Sequence, residues 1–381
     1  MKNVLNIVVM IKTSMNVVCY KLMTFKTNYN DILELIDHID PVSYCKNRNY
    51  VNGNVTKLSP YISRGVISTK QVLKVSLEKV NSFKSIEKFI QELVWRDYWQ
   101  MYWKIKGFDE FETRQDLNIP TAILNAQTGI EAIDKAIIDL YETGYMHNHL
   151  RMYVASIACN VSHLNWEGPS KWMYFYLKDA DWGSNALSWL WVSGMNSKKK
   201  YYANQENVNK FCFTNQTHTF LDKSYPDLIS QKKPPQILNV KSTLKLKTDL
   251  PKSNCEIDPN KPVFLYNMYN LDPEWKKNEN GNRILLLEPS LFEKHPISNK
   301  NLNFILDLSK NIKDIQLFVG EFSALSNLIE DNQLIYFKEH PFNKAYNGIC
   351  ESREWIFEEN IFFPSFFKYW NKNKSQILYS L

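Results

Sequence analysis

The sequence has no pair of cysteines spaced C-x-x-C, and its 6 cysteines are scattered along 381 residues. Zinc sites and clustered iron–sulfur motifs place their cysteines close together, and disulfide frameworks repeat their spacings. The scatter argues against all three, so we predict reduced thiols in a cytoplasmic protein. The cysteines are Cys19, Cys45, Cys159, Cys212, Cys255 and Cys350.

Long apolar runs are also missing, since no stretch approaches the ~18 residues that a membrane-spanning helix needs. We expect no membrane association. Near the N-terminus, Val4–Ile11 resembles the apolar core of a signal peptide, but Asn6 interrupts it and no small-residue cleavage site follows. We therefore expect no export. Residues 1–22 precede a clearer helical pattern at Tyr29–Ile39, so Met23 offers an alternative start.

Neither a G-x-G-x-x-G nor a Walker motif occurs, so no nucleotide-phosphate loop of these classes is predicted. Internal repeats and low-complexity tracts are absent as well. A hydrophobic content of 44% is enough to bury a core, and the length predicts two domains. The net charge of +6 permits a polyanionic partner without requiring one.

Apolar residues recur at spacings of three and four from residue 56 to about 210, which predicts a helical domain. Residues 222–262 are rich in Pro, Lys, Ser and Asp, which is typical of a linker or of an arm on the surface. We predict a mainly α fold with an N-terminal helical extension at 1–55, a helical domain at 56–221, a linker at 222–262 and a small α/β domain at 263–381.

In the last of these parts, short apolar runs alternate with helical stretches near 302–312 and 322–329. Alternation of strands with helices indicates a small α/β layer. The four predicted strands are Val263–Tyr266, Ile284–Leu287, Ile315–Val319 and Leu334–Phe337.

The stretch Glu87–Trp103 is helical by pattern, and about 100° of rotation per residue puts Glu92, Trp95, Arg96 and Trp99 on one arc. An aromatic core stripe with a Glu92–Arg96 ion pair at its edge explains this arc without a ligand. The alternative is a planar ligand held against the indole faces beside a carboxylate. The residues alone leave both interpretations open.

The stretch Gly144–Met152 restarts a helix and places Asn148 and Arg151 on one face. Arg151 can pair with a carboxylate or a phosphate, while a solvated arginine on a capped helix start is the alternative. The i, i+2 spacing of His147 and His149 turns them to different faces, so no metal site is predicted.

The stretch Asp179–Trp191 predicts a helix with Asp181 as its N-cap. Asp181, Asn185 and Trp189 then share one face at i, i+4 and i+8. Trp191 lies about 200° around the helix from Trp189, so the two indoles cannot have the same task. One can face inward while the other faces a partner.

Four segments together resemble, in order, the FAD-binding domain of the DNA photolyase and cryptochrome family. The resemblance extends from residue 56 to about 210, and Tyr44 and Arg48 match positions ahead of it. The matching segments are Thr56-Lys-Leu-Ser-Pro-Tyr61, Glu92-Leu-Val-Trp-Arg-Asp97, Thr143-Gly-Tyr-Met-His-Asn-His-Leu-Arg-Met152, and Asp179-Ala-Asp181 through Trp191.

This resemblance implies a FAD cofactor and leaves any antenna pigment open. An ion pair of Arg151 with Asp179 would lie beside the isoalloxazine, and Asn185 would face its N5 atom. Asp181, together with Asp179, would border the adenine and ribitol side. The pyrophosphate and ribose region would be held by Tyr44, Thr56, Lys57, Leu58 and Ser59.

The resemblance also implies light-driven DNA repair, in which reduced FAD passes an electron to a flipped-out cyclobutane pyrimidine dimer. The expected enzyme is a monomeric deoxyribodipyrimidine photolyase with DNA as its partner; the alternative is a cryptochrome-like light sensor. Asn185 matches the repair enzymes. Trp95 and Trp191 would form the walls of the dimer pocket, and Glu92 and Asn148 its hydrogen-bond partners. The other expected substrate contacts are Arg96, Trp99, His149 and Met152.

Trp189 and Trp166 match the first two members of the family's electron-relay triad. The expected catalytic residues are these two tryptophans together with Glu92 and Asn185. The third relay member has no counterpart, because residues 107–124 contain no tryptophan. Lys198–Lys200 and Arg64 would contact the DNA backbone, while a solvated loop is the alternative for the lysine run. In the family an α/β antenna domain precedes the flavin domain, whereas here the α/β segment follows, so a rearranged antenna domain is a hypothesis.

Overall fold

Twelve helices precede the parallel sheet in the part of the chain that the computed structural model describes, residues 24–107, 111, 117–357 and 361–378. The stretch Val4–Ile11 and Cys19 lie outside these residues, and the other five cysteines are free thiols. The helices are α1 Tyr29–Asp37, α2 Pro41–Asn47, α3 Ser59–Ser63, α4 Thr69–Glu78, α5 Phe83–Lys106, α6 Thr121–Leu124, α7 Glu131–Thr143, α8 Asn148–Ser156, α9 Glu167–Tyr176, α10 Trp182–Ser193, α11 Gln205–Cys212 and α12 Tyr225–Ser230.

Local capping signals set several of these helix ends. Asp181 caps α10 by accepting a hydrogen bond from the Ser184 backbone N–H at 2.7 Å, which confirms the predicted N-cap. Gly144 follows α7 with a φ of 75°, a left-handed conformation that glycine adopts without steric cost. The next helix, α8, continues into a π-helical turn at Ile157–Val161.

Helix α5 is the central helix of this part, and it is three residues longer at its C-terminus than the pattern predicted. It packs against α2, α4 and α10, so its apolar stripe is buried on several sides. No helix of the described residues has both the length and the apolar character needed to cross a membrane.

A parallel sheet of five strands follows, with the order β5-β4-β3-β6-β7. The chain begins in the middle strand, adds two strands on one side and then returns to add two on the other. Strands β3 and β4 are buried along their whole length, which explains why they read as continuous apolar runs. The strands are β3 Val263–Tyr266, β4 Asn282–Leu287, β5 Ile315–Val319, β6 Ile335–Lys338 and β7 Ile349–Glu351.

The connections of the sheet contain three helices: α13 Pro289–Lys294, α14 Asn299–Ser309 and α15 Phe322–Ser326. Helix α14 ties the sheet to the helical part, since Asn301 donates hydrogen bonds to the carbonyls of Phe175 and Leu177. Apolar side chains of both parts join one continuous core. The described fold therefore combines a helical part with a parallel α/β layer.

The segment predicted as a linker, 222–262, contacts both parts of the chain, since the Asn254 backbone N–H donates to the Leu317 carbonyl of β5 at 2.9 Å. It contains α12 and the short strand β2 Lys241–Thr243, which pairs antiparallel with β1 Asn118–Pro120. This two-stranded ribbon joins residues more than a hundred positions apart. The segment is thus a largely exposed arm that runs from the helical part to the outer strand β5 of the sheet.

The last helix, α16 Phe366–Leu378, returns to the helical part and packs against α5. Phe366 stacks on Trp95 with ring centroids 3.8 Å apart, and Trp370 stacks on Phe83 at 6.2 Å. The sequence pattern assigned these residues to the α/β domain, but their packing places them with α5.

Candidate functional site

A buried ion pair joins the starts of two neighbouring helices. Arg151 lies in the first turn of α8 and Asp179 lies just before α10, and the packing of these helices brings Nη2 within 2.9 Å of Oδ2. Burial by itself would raise the pKa of Asp179, but the Arg151 guanidinium and its hydrogen bond hold that pKa below its usual range. Arg151 Nε also donates to the carbonyl of Met146, which fixes the guanidinium plane.

The segment from Thr56 to Ser59 forms a tight turn next to this ion pair. Lys57 has a φ of 56°, a conformation that costs a non-glycine residue energy and is concentrated at functional sites. Leu58 N–H bonds to the Thr56 hydroxyl at 3.3 Å, and Ser59 begins α3. Burial raises the pKa of the Tyr44 phenol, so this nearby side chain remains a neutral hydrogen-bond donor.

Helix α10 presents three polar side chains in its first turn and cap. Asp181 accepts a second hydrogen bond, from Gln100 Nε2 at 2.5 Å. Asn185 donates from Nδ2 to the Ser170 carbonyl at 3.0 Å, which leaves its amide oxygen available as an acceptor. Ser184 Oγ is buried and, among the described residues, has no hydrogen-bond partner.

The chemistry of these groups fits a FAD molecule. The polar edge of a flavin and its phosphates could be bound by three groups. They are the buried Ser184 hydroxyl, which has no partner among the described residues, the amide oxygen of Asn185 and the cation of Arg151. A buried polar atom without a partner is costly, so a native structure usually provides a ligand or water for it.

The arc on α5 differs from the ligand-free interpretation. Glu92 Oε1 lies 3.2 Å from Arg48 Nη2, whereas Arg96 donates to the Ser63 hydroxyl, so both residues have other partners than the ligand-free interpretation gave them. The pairing follows from the packing of α2 on α5, which spacing along one helix cannot reveal. Trp95 and Trp99 are half-buried, with ring centroids 4.9 Å apart.

Four further residues expected on the substrate side lie on α8 and near the end of α10. Asn148 is exposed at the start of α8, and His149 Nδ1 lies 2.9 Å from the Asn49 carbonyl. Met152 is half-buried against the core. Trp191 is 41% exposed. The expected contact of Arg64 with the DNA backbone is wrong, because Arg64 is fully buried and donates to the Lys178 carbonyl at 3.0 Å.

The two indoles of α10 take opposite positions, as their spacing predicted. Trp189 is buried, whereas Trp191 is exposed. Trp166 is also fully buried, and its ring lies 6.2 Å from that of Trp182. Sequence reasoning missed Trp182, although its position directly after the Asp181 cap was a usable signal.

A polar network behind Asp181 was also missed. Arg353 Nη1 donates to Gln100 Oε1 at 3.2 Å, and Gln100 in turn donates to Asp181, so the C-terminal part reaches the start of α10. One turn earlier on α5, Asp97 accepts hydrogen bonds from Thr69 and Ile356, while burial raises its pKa. Polar residues inside the apolar stripe of α5 were the available signal. In the described part of the chain, no group of three His, Cys, Asp or Glu is arranged to bind a metal ion.

Residues 89–225 match the family model of the FAD binding domain of DNA photolyase. The chain is 32% identical over 150 residues to a deoxyribodipyrimidine photo-lyase of Agrobacterium fabrum, covering 36% of this chain and 31% of that protein. It is 27% identical over 188 residues to cryptochrome-1 of Sinapis alba, covering 44% of this chain and 38% of that protein. Among solved structures, a Synechocystis cryptochrome aligns over 50% of this chain and 44% of that chain, with a TM-score of 0.45 and 23% identity.

The chain spans about a third of the length of the curated relatives it matches. The matched family segment ends at residue 225, before the first strand of the parallel sheet. The family model therefore covers the ion pair and the start of α10, whereas the Thr56–Ser59 turn precedes the matched residues.

Proposed function

We propose that this protein, in which residues 89–225 are a FAD-binding domain of the DNA photolyase and cryptochrome family, repairs cyclobutane pyrimidine dimers in DNA with light. The observation that supports the proposal is that the expected substrate residues lie on α5, α8 and α10, and that α10 packs against both of the other helices. Glu92 and Trp95 lie on α5, while Asn148 and Trp191 lie at exposed ends of α8 and α10.

In this proposal the flavin is held by the polar groups around α3, α8 and α10. Arg151 and Asp179 would flank the ring, and Asn185 would offer its amide oxygen to the N5 position. Bound and reduced, FAD supplies light absorption and the single electron that opens the cyclobutane ring. The remaining flavin contacts would come from Tyr44, Thr56, Lys57, Leu58, Ser59 and Asp181.

The dimer would lie against aromatic walls outside this pocket. Phe366 covers one face of Trp95, so a base can approach only the rest of the indole. Trp191 would form the opposite wall, and Arg48 would hold the Glu92 carboxylate in place through their ion pair. Asn148 would add a donor and an acceptor. Further contacts would come from Arg96, Trp99, His149 and Met152.

A light-sensing role is the second candidate, because cryptochrome-1 of Sinapis alba is nearly as similar to this chain as the photo-lyases are. A sensor would retain the flavin residues but have no use for a dimer pocket. Trp166 and Trp189 would serve either function, since both are buried indoles that could pass an electron inward.

The deciding experiment illuminates the purified, reduced flavoprotein with an oligonucleotide that contains a cyclobutane dimer. Recovery of the ultraviolet absorbance of intact pyrimidines supports repair; no recovery from a protein with bound, photoreducible FAD favours the sensor.

Trp95→Ala should weaken binding of the damaged strand by about 1 to 3 kcal/mol while FAD remains bound. Unchanged affinity would remove Trp95 from the pocket. Trp189→Phe should leave repair by pre-reduced protein unchanged.

A further inference from the structure

A continuous row of aromatic rings leads away from the proposed dimer pocket. Neighbouring ring centroids along it are 4.5 to 6.5 Å apart, which is the range of favourable aromatic contact. The row is buried in the middle and exposed at its two ends, where Trp191 is 41% and Phe213 is 61% exposed. In order, the aromatic row is Trp191, Tyr201, Tyr153, His149, Phe211, Tyr50 and Phe213.

The far end of the aromatic row is held in an unfavourable conformation. Phe213 follows α11 with a φ of 58° and a ψ of 42°, a left-handed cap that glycine or asparagine usually occupies. Its ring nevertheless stacks on Tyr50 at 5.6 Å with an interplanar angle of 29°. A single exposed phenylalanine is ordinary, but one that is also strained and stacked in the open indicates a use for that ring.

Backbone hydrogen bonds fix these rings without a ligand. Val51 N–H donates to the Phe211 carbonyl at 3.0 Å, which joins the loop after α2 to the end of α11. The same loop meets α8 where the Asn49 carbonyl lies 2.9 Å from His149 Nδ1. The stacked pair Tyr50 and Phe213 is therefore held at a fixed place beside Asn148 and His149.

Positive charges accompany both exposed ends of the aromatic row. Lys210 Nζ lies 5.5 Å from the Phe211 ring centre, and Lys46 is exposed on α2. At the other end, the three exposed lysines Lys198–Lys200 follow Trp191. Helix α11 itself carries one negative side chain, the exposed Glu206 in its first turn. Stacking surfaces flanked by cations suit a strand of nucleic acid, which offers planar bases on a polyanionic backbone.

We propose that Tyr50 and Phe213 form a second stacking site, which binds an unpaired base of the DNA strand outside the dimer pocket. The inference rests on the proposed function for the choice of DNA as partner. Bases within an intact duplex already stack on one another, so a base can reach this pair only from a single strand or from an opened duplex. The protein should therefore bind single-stranded DNA more tightly than duplex DNA.

The test compares three variants by fluorescence anisotropy with an undamaged single-stranded pyrimidine oligonucleotide at one fixed salt concentration. Phe213→Asn removes the ring but keeps a residue that tolerates the left-handed cap. Its affinity should fall about 5- to 100-fold, the range for losing one stacked base. Phe213→Tyr should bind like wild type. Phe367→Ala, which removes an exposed phenylalanine of α16, is the matched control and should have no effect.

Two further measurements distinguish the loss of a stacking contact from the loss of a charge contact, and a binding defect from a folding defect. The slope of log affinity against log salt should be unchanged in Phe213→Asn, because no phosphate contact is lost. An unchanged FAD spectrum and unfolding midpoint would show that the variant is folded. Wild-type affinity of Phe213→Asn for the single strand, or tighter binding of the duplex by the wild-type protein, overturns the inference.

Failure of the proposed function would look different. If the wild-type protein binds the single strand through Phe213 but repairs no dimer under light, the stacking site stands and the repair function falls. If dimers are repaired and Phe213→Asn binds as wild type does, the stacking site falls alone.

Discussion

The helical part of the chain and the parallel sheet use charged side chains differently. In the helical part, Arg151 and Asp179 meet at the starts of two helices, beside a serine hydroxyl that has no partner among the described residues. In the sheet, Lys276 pairs with both Glu279 and Glu351 near the strand ends. The first arrangement leaves polar atoms for a ligand, whereas the second joins segments of the protein to one another.

Arg151→Ala should separate the two parts most clearly. It leaves the Asp179 carboxylate buried without its cation, which costs about 3 to 5 kcal/mol of the free energy of unfolding, and it should abolish FAD binding. Lys276→Ala removes one charge from the sheet, where the partner carboxylates are more exposed, and should cost about 1 kcal/mol or less. Denaturant unfolding and the bound-flavin absorbance measure both effects. Equal losses in the two variants would contradict the difference between the parts.

A glycine at the contact of the two parts gives the next largest effect. Gly65 has a φ of 63°, and a Cβ there would lie 2.4 Å from the Tyr269 carbonyl oxygen of the sheet part. Gly65→Ala should cost roughly 2 to 4 kcal/mol, because backbone strain and a steric clash add together. Gly129→Ala also has a positive φ, 77°, but among the described residues its Cβ would meet only Ile237 Cδ1 at 3.9 Å, so it isolates the strain of about 1 to 2 kcal/mol. Similar losses from both substitutions would mean that the contact between the parts contributes little.

Acid should weaken the sheet part more than the helical part. Burial lowers the pKa of His147 to about 4 and also lowers that of His149 in the helical part, whereas it lowers the pKa values of His295 and His340 well below 6.5 in the sheet part. Below pH 6.5 the unfolded chain takes up these protons while the folded chain does not, so stability falls as the pH falls. Each histidine contributes up to about 1.4 kcal/mol per pH unit.

Unfolding free energies between pH 7 and pH 5 measure this slope. His340→Gln and His147→Gln should each flatten it, because glutamine does not titrate. A slope that is unchanged in His340→Gln would show that this histidine is protonated in the folded protein. A larger flattening from His147→Gln would place the acid-sensitive point in the helical part instead.

Much of the sheet was predictable because of how parallel strands are buried. The apolar runs Val263–Tyr266 and Ile284–Leu287 lie in the inner strands β3 and β4, which are buried on both faces. The run Ile315–Val319 also coincides with a strand, although this outer strand is only half-buried. Strand β7 was missed because its three residues, Ile-Cys-Glu, are largely exposed and form no apolar run. Strand β2, Lys-Ser-Thr, is a strand only through its pairing with β1, which a local pattern cannot show.

The candidate site was predictable where its residues lie within one helix or one motif. The spacing on α10 gave the Asp181 cap and the opposite positions of Trp189 and Trp191. The spacing on α5 could not give the partner of Glu92, because Arg48 reaches Glu92 only through the packing of α2 on α5. The stacking of Phe366 in α16 on Trp95 depends on how the whole chain between them folds, so no local pattern could predict it.

The smallest effect tests whether the polar atoms left open in the helical part serve a ligand. Ser184→Ala removes a buried hydroxyl that lacks a partner in the described part of the chain, so the protein without flavin should become more stable by up to about 1 kcal/mol. FAD affinity should fall about fivefold, because one hydrogen bond of roughly 1 kcal/mol is lost. Ser188→Ala on the exposed face of α10 gains the same helix propensity, and it should leave FAD affinity unchanged. If FAD binds Ser184→Ala as tightly as wild type, that hydroxyl has no role in the pocket, and the difference between the helical part and the sheet would rest on Arg151 and Asp179.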